Sequence, residues 1–560
     1  MNRTSFELCV FRAMCALILV SAFGTAAAAG QEPAHAGAIL ARRTATSQRI
    51  GGEQRGLLSA AASNLLHLSD SAAVRPVSPS LSSQQTLQQL IANRTSSHVR
   101  NDGNVVPVND SRNDFALSRL AGFTQNGSSN AWCGQNIVVG YNDSFAYLYS
   151  SALGVGSSFS GVAVSHDAGA SFQGSPFLGA GTDPGKFLAG EPVIACSGNS
   201  FYYASLFQFQ NSTGQIVSAV GVNRSTNGGE TWSLPVPAVR KSADTHIVDK
   251  EWLAVDPSNP SNLYLSFTDF DYTFHKAYGC NGTVRVAIEL AVSTDGGHSW
   301  SDPTTVAQLC DPARGQALQA SQVVVGNAGE VFVAYIAETS LDEQILFRRS
   351  TNGGLTFSDA TSVASAVFAG LGGAARLQSL IQTNSFPSLS IDRSHGASRG
   401  SLYLTWTDAS RHQIPDFLAP TQSYNFGEVM FSKSTDHGRT WSTAAVVRPT
   451  AKGREQFLPW TAVDRDGTLA ICYFDRRRDP ENNGLDHFCA VSHDQGASFT
   501  NLRNTPRAFT PTHLTDGLMD PVSFGDYDVV SSDSSGTNAG FFSSFQTQST
   551  GDANIVGVRF

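Results

Sequence analysis

The chain has 560 residues, 46 of them acidic and 37 Lys or Arg, for a formal net charge of −9. That length is too great for one ordinary compact domain and suits a repeat architecture with an extension. Residues 31–112 carry eight arginines against five acids, so the whole acidic excess lies in residues 113–560 and argues against nucleic acid as the partner of that part.

The start reads as a secretory signal over residues 1–29. Arg3 and Arg12 precede an apolar run at 13–23, and small residues follow around Ala28 and Ala29. The run is too short to span a bilayer, so the expected location is secreted or periplasmic, with no membrane span. Residues 30–112 are rich in Ala, Ser, Gln and Arg and poor in aromatics. They predict a low-order extension with short helices near 57–68, serving as a propeptide, spacer or linker.

From about 113 to 560 the chain repeats. Apolar A strands read EPVIAC from Glu191, EWLAVD from Glu251, QVVVG from Gln322, FPSLSID from Phe386, LPWTAVD from Leu458 and PVSFGDYDVV from Pro521, with a weaker copy near Ser129. Each precedes a B strand: NIVVGYND from Asn136, SFYYASLF from Ser200, NLYLSFTDF from Asn262, EVFVAYIAE from Glu330, SLYLTWTDA from Ser401, TLAICYFDR from Thr468 and AGFFSSFQ from Ala539. Apolar residues alternate or come in short bursts bounded by Gly, Asn, Asp and Pro, which is strand patterning. Seven A–B units predict an all-β propeller of four-stranded antiparallel blades, seven in number, with six as the alternative.

One phrase, S-x-[DN]-x-G-x-[ST]-[WF], recurs six times. It begins at Ser165, Ser225, Ser293, Ser350, Ser434 and Ser492. Each copy suits a tight turn between strands C and D. The Asp or Asn accepts turn N–H groups, the Gly takes a positive φ, and the aromatic wedges between sheets. The seventh unit ends with ANIVGVRF and has no box, so a strand from within residues 104–120 is expected to complete it and close the ring.

These boxes resemble the Asp-box, or bacterial neuraminidase repeat, of sialidase-like propellers, and the resemblance spans roughly residues 120–560. It implies a carbohydrate-active protein, a glycoside hydrolase acting on glycans. The Phe/Tyr-Arg-Ile-Pro phrase of true sialidases does not occur in the chain.

Six cysteines follow the signal, an even number that predicts disulfides in an exported protein. Cys472 and Cys489 lie on consecutive predicted strands, Cys280 and Cys310 flank the third box, and Cys133 and Cys196 hold equivalent places in adjacent repeats.

With the boxes on the C–D turns, the residues before strand A and after strand B face the opposite side, around the axis. Before strand A stand Glu191, the trio Asp249-Lys250-Glu251, and Glu455; after strand B stand Asp143, Asp269, Asp271, Glu338, Asp408 and Asp475. Asp526-Tyr527-Asp528 enters on the last A segment. Carboxylates can serve as acid and base or nucleophile, and aromatic faces stack on sugar rings. The candidate catalytic residues are therefore Asp249, Glu251, Asp475, Asp526 and Tyr527. Arg411, Arg476, Arg477, Glu455, Trp252 and Trp460 are candidates for substrate binding. A Tyr beside a carboxylate, with arginines at the mouth, matches what the sialidase resemblance implies. Turn capping is the competing role for Asp143, Asp269 and Asp408, and Asp256, Asp392 and Asp464 read as formers of the A–B turns.

No cofactor is expected; an acidic ring can hold calcium, although no EF-hand spacing occurs. The expected partner is a glycan or polysaccharide met by a monomer. The alternatives are a noncatalytic glycan- or protein-binding propeller, or a polysaccharide lyase using His246, His412 or His487 as base.

Overall fold

In the computed structural model seven blades, each of four antiparallel strands, follow one another around an axis, and the short strands Ser157–Ser158 and Lys186–Leu188 extend the sheet of the second blade to six strands. It describes residues 105–560 with gaps at 110–114, 118–119, 274–279, 281–282, 311–315, 339–342, 370, 376, 378–380, 410–412, 416–422, 426, 450–453 and 550–551. The signal and most of the extension expected from the sequence lie outside the described residues.

In order A to D, blade 1 is Gln125–Cys133, Asn136–Asp143, Ser160–Ser165 and Gln173–Ser175. Blade 2 is Val193–Ser197, Ser200–Gln210, Ile216–Ser225 and Val236–Ser242. Blade 3 is His246–Val255, Leu263–Asp271, Arg285–Ser293 and Thr304–Cys310. Blade 4 is Ala317–Val325, Val331–Glu338, Glu343–Ser350 and Thr361–Ser365. Blade 5 is Ser388–Ile391, Leu402–Asp408, Glu428–Ser434 and Ala445–Val446. Blade 6 is Gln456–Val463, Leu469–Asp475, Asp486–Ser492 and Thr500–Arg503.

Blade 7 joins both ends of the described chain. Val530–Ser532, Phe541–Thr547 and Asn554–Arg559 are its strands A to C, and Val105–Pro107 pairs with the last of them as strand D, Val105 opposite Val558. The ring closes as the missing seventh box requires, and the closing strand lies ahead of residue 113. Such closure leaves no blade interface open for pairing with another chain.

All six boxes are C–D turns with one hydrogen-bond pattern. In the fifth, Ser434 Oγ donates to Asp436 Oδ1 at 2.8 Å and accepts Gly438 N–H at 2.9 Å. Asp436 also accepts Thr440 N–H at 2.9 Å and its hydroxyl at 2.6 Å. Where Asn replaces Asp, the last bond reverses: Asn227 Nδ2 donates to Thr231 Oγ1 at 3.0 Å. That reversal explains why both residue types serve.

The box glycine has two reasons to be glycine. Gly438 has φ +79°, and a Cβ there would fall 2.0 Å from the Phe347 ring of blade 4. The closing aromatic packs across the same seam, with Trp441 edge-on to Phe347 at 5.2 Å and Phe499 edge-on to Phe431 at 5.8 Å. Each box therefore fastens its blade to the preceding one.

Three disulfides pair as the spacing suggests: Cys133–Cys196 across blades 1 and 2, Cys280–Cys310 within blade 3, and Cys472–Cys489 between facing strands. One α-helix, α1 (Ser144–Ala152), interrupts blade 1 between strands B and C. Asp143, expected at the mouth, caps it by accepting Phe145 N–H at 3.0 Å. Among the described residues no helix is long and apolar enough to cross a membrane.

Candidate functional site

The inner strands share a kink. Gly127, Glu191, Lys250, Ala320, Leu458 and Gly525 hold corresponding places in six blades, and all have φ between +51° and +79°. Register shifts mark the kink as a bulge in blades 1, 3, 4 and 6. A bulge re-aims the side chains around it. Two residues further on stand Trp252, Trp460 and Tyr527, from blades 3, 6 and 7. Their ring centroids lie 4.8 to 5.8 Å apart, forming an aromatic cluster on the axis.

Around this cluster the bulges gather charge. Lys250 Nζ lies 2.6 Å from Glu191 Oε1 and 3.5 Å from Asp526 Oδ2, and above the rings of Tyr527 at 4.3 Å and Phe386 at 4.5 Å. Asp249 Oδ2 accepts Gln319 Nε2 at 3.0 Å, and Asn384 Nδ2 donates to the Asp526 main chain at 2.9 Å. Tyr527 donates its hydroxyl to Pro192 O at 2.8 Å. Glu191, Asp249, Lys250, Glu251, Asp526 and Tyr527 are each at most 5% exposed.

One ammonium among four buried carboxyl groups leaves excess negative charge, and protonation relieves it. Burial pushes Glu191 up to about 8, with Asp526 and Asp249 adding to the effect and Lys250 opposing it. Glu251 lies well above the ordinary range, through burial and then the Glu191 charge. Among the described residues no donor reaches either of its carboxyl oxygens. The Tyr527 hydroxyl is also raised well above its ordinary value, by burial and then by Glu191 and Glu251.

Of the residues singled out from the sequence, the structure thus brings together Asp249, Glu251, Asp526 and Tyr527, with Trp252 and Trp460 stacked beside them. A second group belongs to blade 6. Arg476 Nε meets Glu455 Oε2 at 3.0 Å, and Arg477 Nη2 meets Asp475 Oδ2 at 2.5 Å while its guanidinium covers the Phe488 ring at 4.3 Å. Both arginines are engaged by their own carboxylates. Arg411 lies outside the described residues.

Asp269 belongs to a third group in blade 3. It takes His246 Nδ1 at 2.9 Å and Lys241 Nζ at 3.1 Å, and Lys241 also meets Glu289 at 3.0 Å. His487 is buried, stacked on Phe545 at 4.0 Å, and pushed down to about 3 by that burial. No group of three or more His, Cys, Asp or Glu side chains suited to a metal ion occurs among the described residues.

Sequence reading did not single out Gln319, Asn384 or Phe386 as site residues; they complete the axial group and come from blades whose repeat phrases carry no charge there. Lys250 had a signal: it is the one cation flanked by acids at the start of an A strand.

No protein-family model matches the sequence, and no curated protein does. Among solved structures the chain is similar to a protein of unknown function from Dyadobacter fermentans (14% identity over 66% of this chain and 93% of that chain, TM-score 0.39). A Hadza microbial sialidase aligns at 14% identity over 71% and 73% of the two chains, with a TM-score of 0.38. The α-L-arabinofuranosidase Arb93A from Fusarium graminearum aligns at 12% identity over 70% and 97%, with a TM-score of 0.40.

Proposed function

We propose that the chain is an exported glycan-acting propeller that cleaves glycosidic bonds at the axial cluster. The observation carrying this reading is the pairing of raised carboxyl groups, Glu191 and Glu251, with Asp249, Asp526 and the Tyr527 hydroxyl at one place. Neighbouring carboxyls in different protonation states supply an acid and a base. In this reading Glu191 gives its proton to the departing glycosidic oxygen. Tyr527 gives up its proton to a neighbouring carboxylate and attacks the anomeric carbon, and water then releases the sugar. In the blade 6 group Asp475, Glu455 and Arg476 are buried, so Arg477 is the member that reaches a glycan as a secondary contact. The three disulfides suit the oxidising compartment that export implies.

The near-complete burial of the cluster favours a second reading, a noncatalytic glycan- or protein-binding propeller whose axial charges fasten the blades. A lyase has less support, since His487 is buried neutral and His246 is engaged by Asp269, while His412 lies outside the described residues.

The test is release of sugar from a mixed glycan panel, sialosides included, by the purified protein and by Glu251→Gln and Tyr527→Phe. Cleavage by the wild type that falls at least a hundredfold in both variants supports a glycosidase. No product from any glycan, with folding intact, supports the binding reading.

A further inference from the structure

The face carrying the A–B turns lies opposite the axial cluster's strand entrances, and it holds a different kind of group. There an aspartate that ends or follows strand A reaches toward the next blade's A–B turn. Asp464 Oδ2 accepts Gly540 N–H at 3.3 Å, and Asp533 Oδ1 accepts Gly134 N–H at 2.8 Å. These bonds link blade 6 to blade 7 and blade 7 to blade 1.

Between blades 5 and 6 the corresponding bond is not made. Asp392 faces Gly467, but the Gly467 N–H donates to Asp464 O at 3.1 Å. Asp392 Oδ1 accepts Ser394 N–H at 2.7 Å. Its Oδ2 is buried, and among the described residues no donor reaches it.

Two hydroxyls converge on the same side of this glycine. The position a Cβ would take on Gly467 lies 3.2 Å from Ser394 Oγ, 3.3 Å from Ser398 Oγ and 3.4 Å from Asp392 Oδ2. Only a glycine, here at φ +82°, leaves these oxygens room to share a ligand. The buried Tyr403 hydroxyl borders the group.

We propose that Asp392, Ser394 and Ser398 form a binding site for a hard cation of the calcium class. The donors are all oxygen, which selects hard ions over zinc or copper. A buried carboxylate oxygen without a donor is costly, and a cation offsets that cost more fully than a neutral molecule does. One carboxylate among hydroxyls places the site in the weak class, with a Kd on the order of 10⁻⁴–10⁻³ M. The exposed His395, Gly396 and Ala397 beside the half-buried Ser398 give an approach from solvent. The site is independent of the glycan reading.

Terbium tests it, because tyrosine sensitises terbium luminescence and Tyr403 borders the site. Tyrosine-sensitised emission should rise as terbium is added to the purified protein. Calcium at millimolar concentration should displace the terbium and, by itself, raise the Tm. Asp392→Asn should weaken both ions at least tenfold, and so should the milder Ser398→Ala, which keeps the carboxylate and protects the test against a misfolded Asp392→Asn. The proposal is overturned if calcium neither displaces terbium nor shifts the Tm, or if terbium and calcium titrations are unchanged in a folded Ser398→Ala or Asp392→Asn protein.

Discussion

The box turns and the axial cluster both repeat around the ring, yet they resolve their charges in opposite ways. At a box the aspartate is exposed or half-buried and every oxygen has short-range donors from its own turn. Asp436 is accordingly held down to about 2, its turn hydrogen bonds outweighing the desolvation that opposes them. At the axis the carboxyl groups are buried, come from three different blades, and share a single lysine. Glu191 rises where Asp436 falls. A group satisfied within its own turn does the same work in every blade. A group satisfied only across blades differs from blade to blade, and that difference is where chemistry can arise.

The largest effect separating the two regions is expected at Lys250. Lys250→Met removes the only ammonium from among Glu191, Asp249 and Asp526 and should cost about 3–5 kcal/mol in denaturant unfolding, as when one partner of a buried ion pair is lost. A loss below about 1 kcal/mol would mean the cluster is solvated like a surface pair.

Next in size is the glycine that carries a box onto its neighbour. Gly438→Ala places a Cβ against Phe347 and holds alanine at a left-handed φ, so a loss of about 1–3 kcal/mol is expected. Asp436→Ala should cost only about 1 kcal/mol, because its partners turn to water instead. Equal losses from the two would contradict the view that the box glycine, more than its carboxylate, joins the blades.

The pH profile sharpens the contrast with a smaller signal. Glu191 keeps its proton in the fold up to about pH 8, whereas the unfolded chain releases it near the ordinary 4.5. The folded state therefore binds more protons between those values, and its stability falls as pH rises through that window. Asp436 has the opposite sign: its contribution is present above the ordinary 3.8 and is lost as pH falls toward about 2. Glu191→Gln should lessen the slope between pH 4.5 and 8, to which Asp528, Asp143 and Glu251 also contribute, and leave the acid limb unchanged. An unchanged slope in that variant would show that Glu191 is ionised in the fold.

Much of the scaffold was legible in the sequence because its causes are local. The Ser, Asp or Asn, Gly and aromatic of each box make their contacts within a few residues or with the adjacent blade. The count of seven A–B units against six boxes pointed to a closing strand, which is Val105–Pro107. Helix α1 was not foreseen, although Asp143 before it and Gly154 after it are ordinary start and stop signals. The axial site was legible only in part. Asp249, Glu251, Asp526 and Tyr527 stand out by position, but the left-handed bulge at Lys250 leaves no local signature. The partners Gln319, Asn384 and Phe386 become neighbours only when the ring closes.

The most direct test of the central claim measures glycan cleavage and Tm together for Glu191→Gln and Asp436→Ala. Glu191→Gln is expected to abolish sugar release while remaining folded, and Asp436→Ala to lower the Tm while cleaving at the wild-type rate. Full cleavage by Glu191→Gln would contradict that claim, because the axial carboxyls would then be scaffold like the boxes.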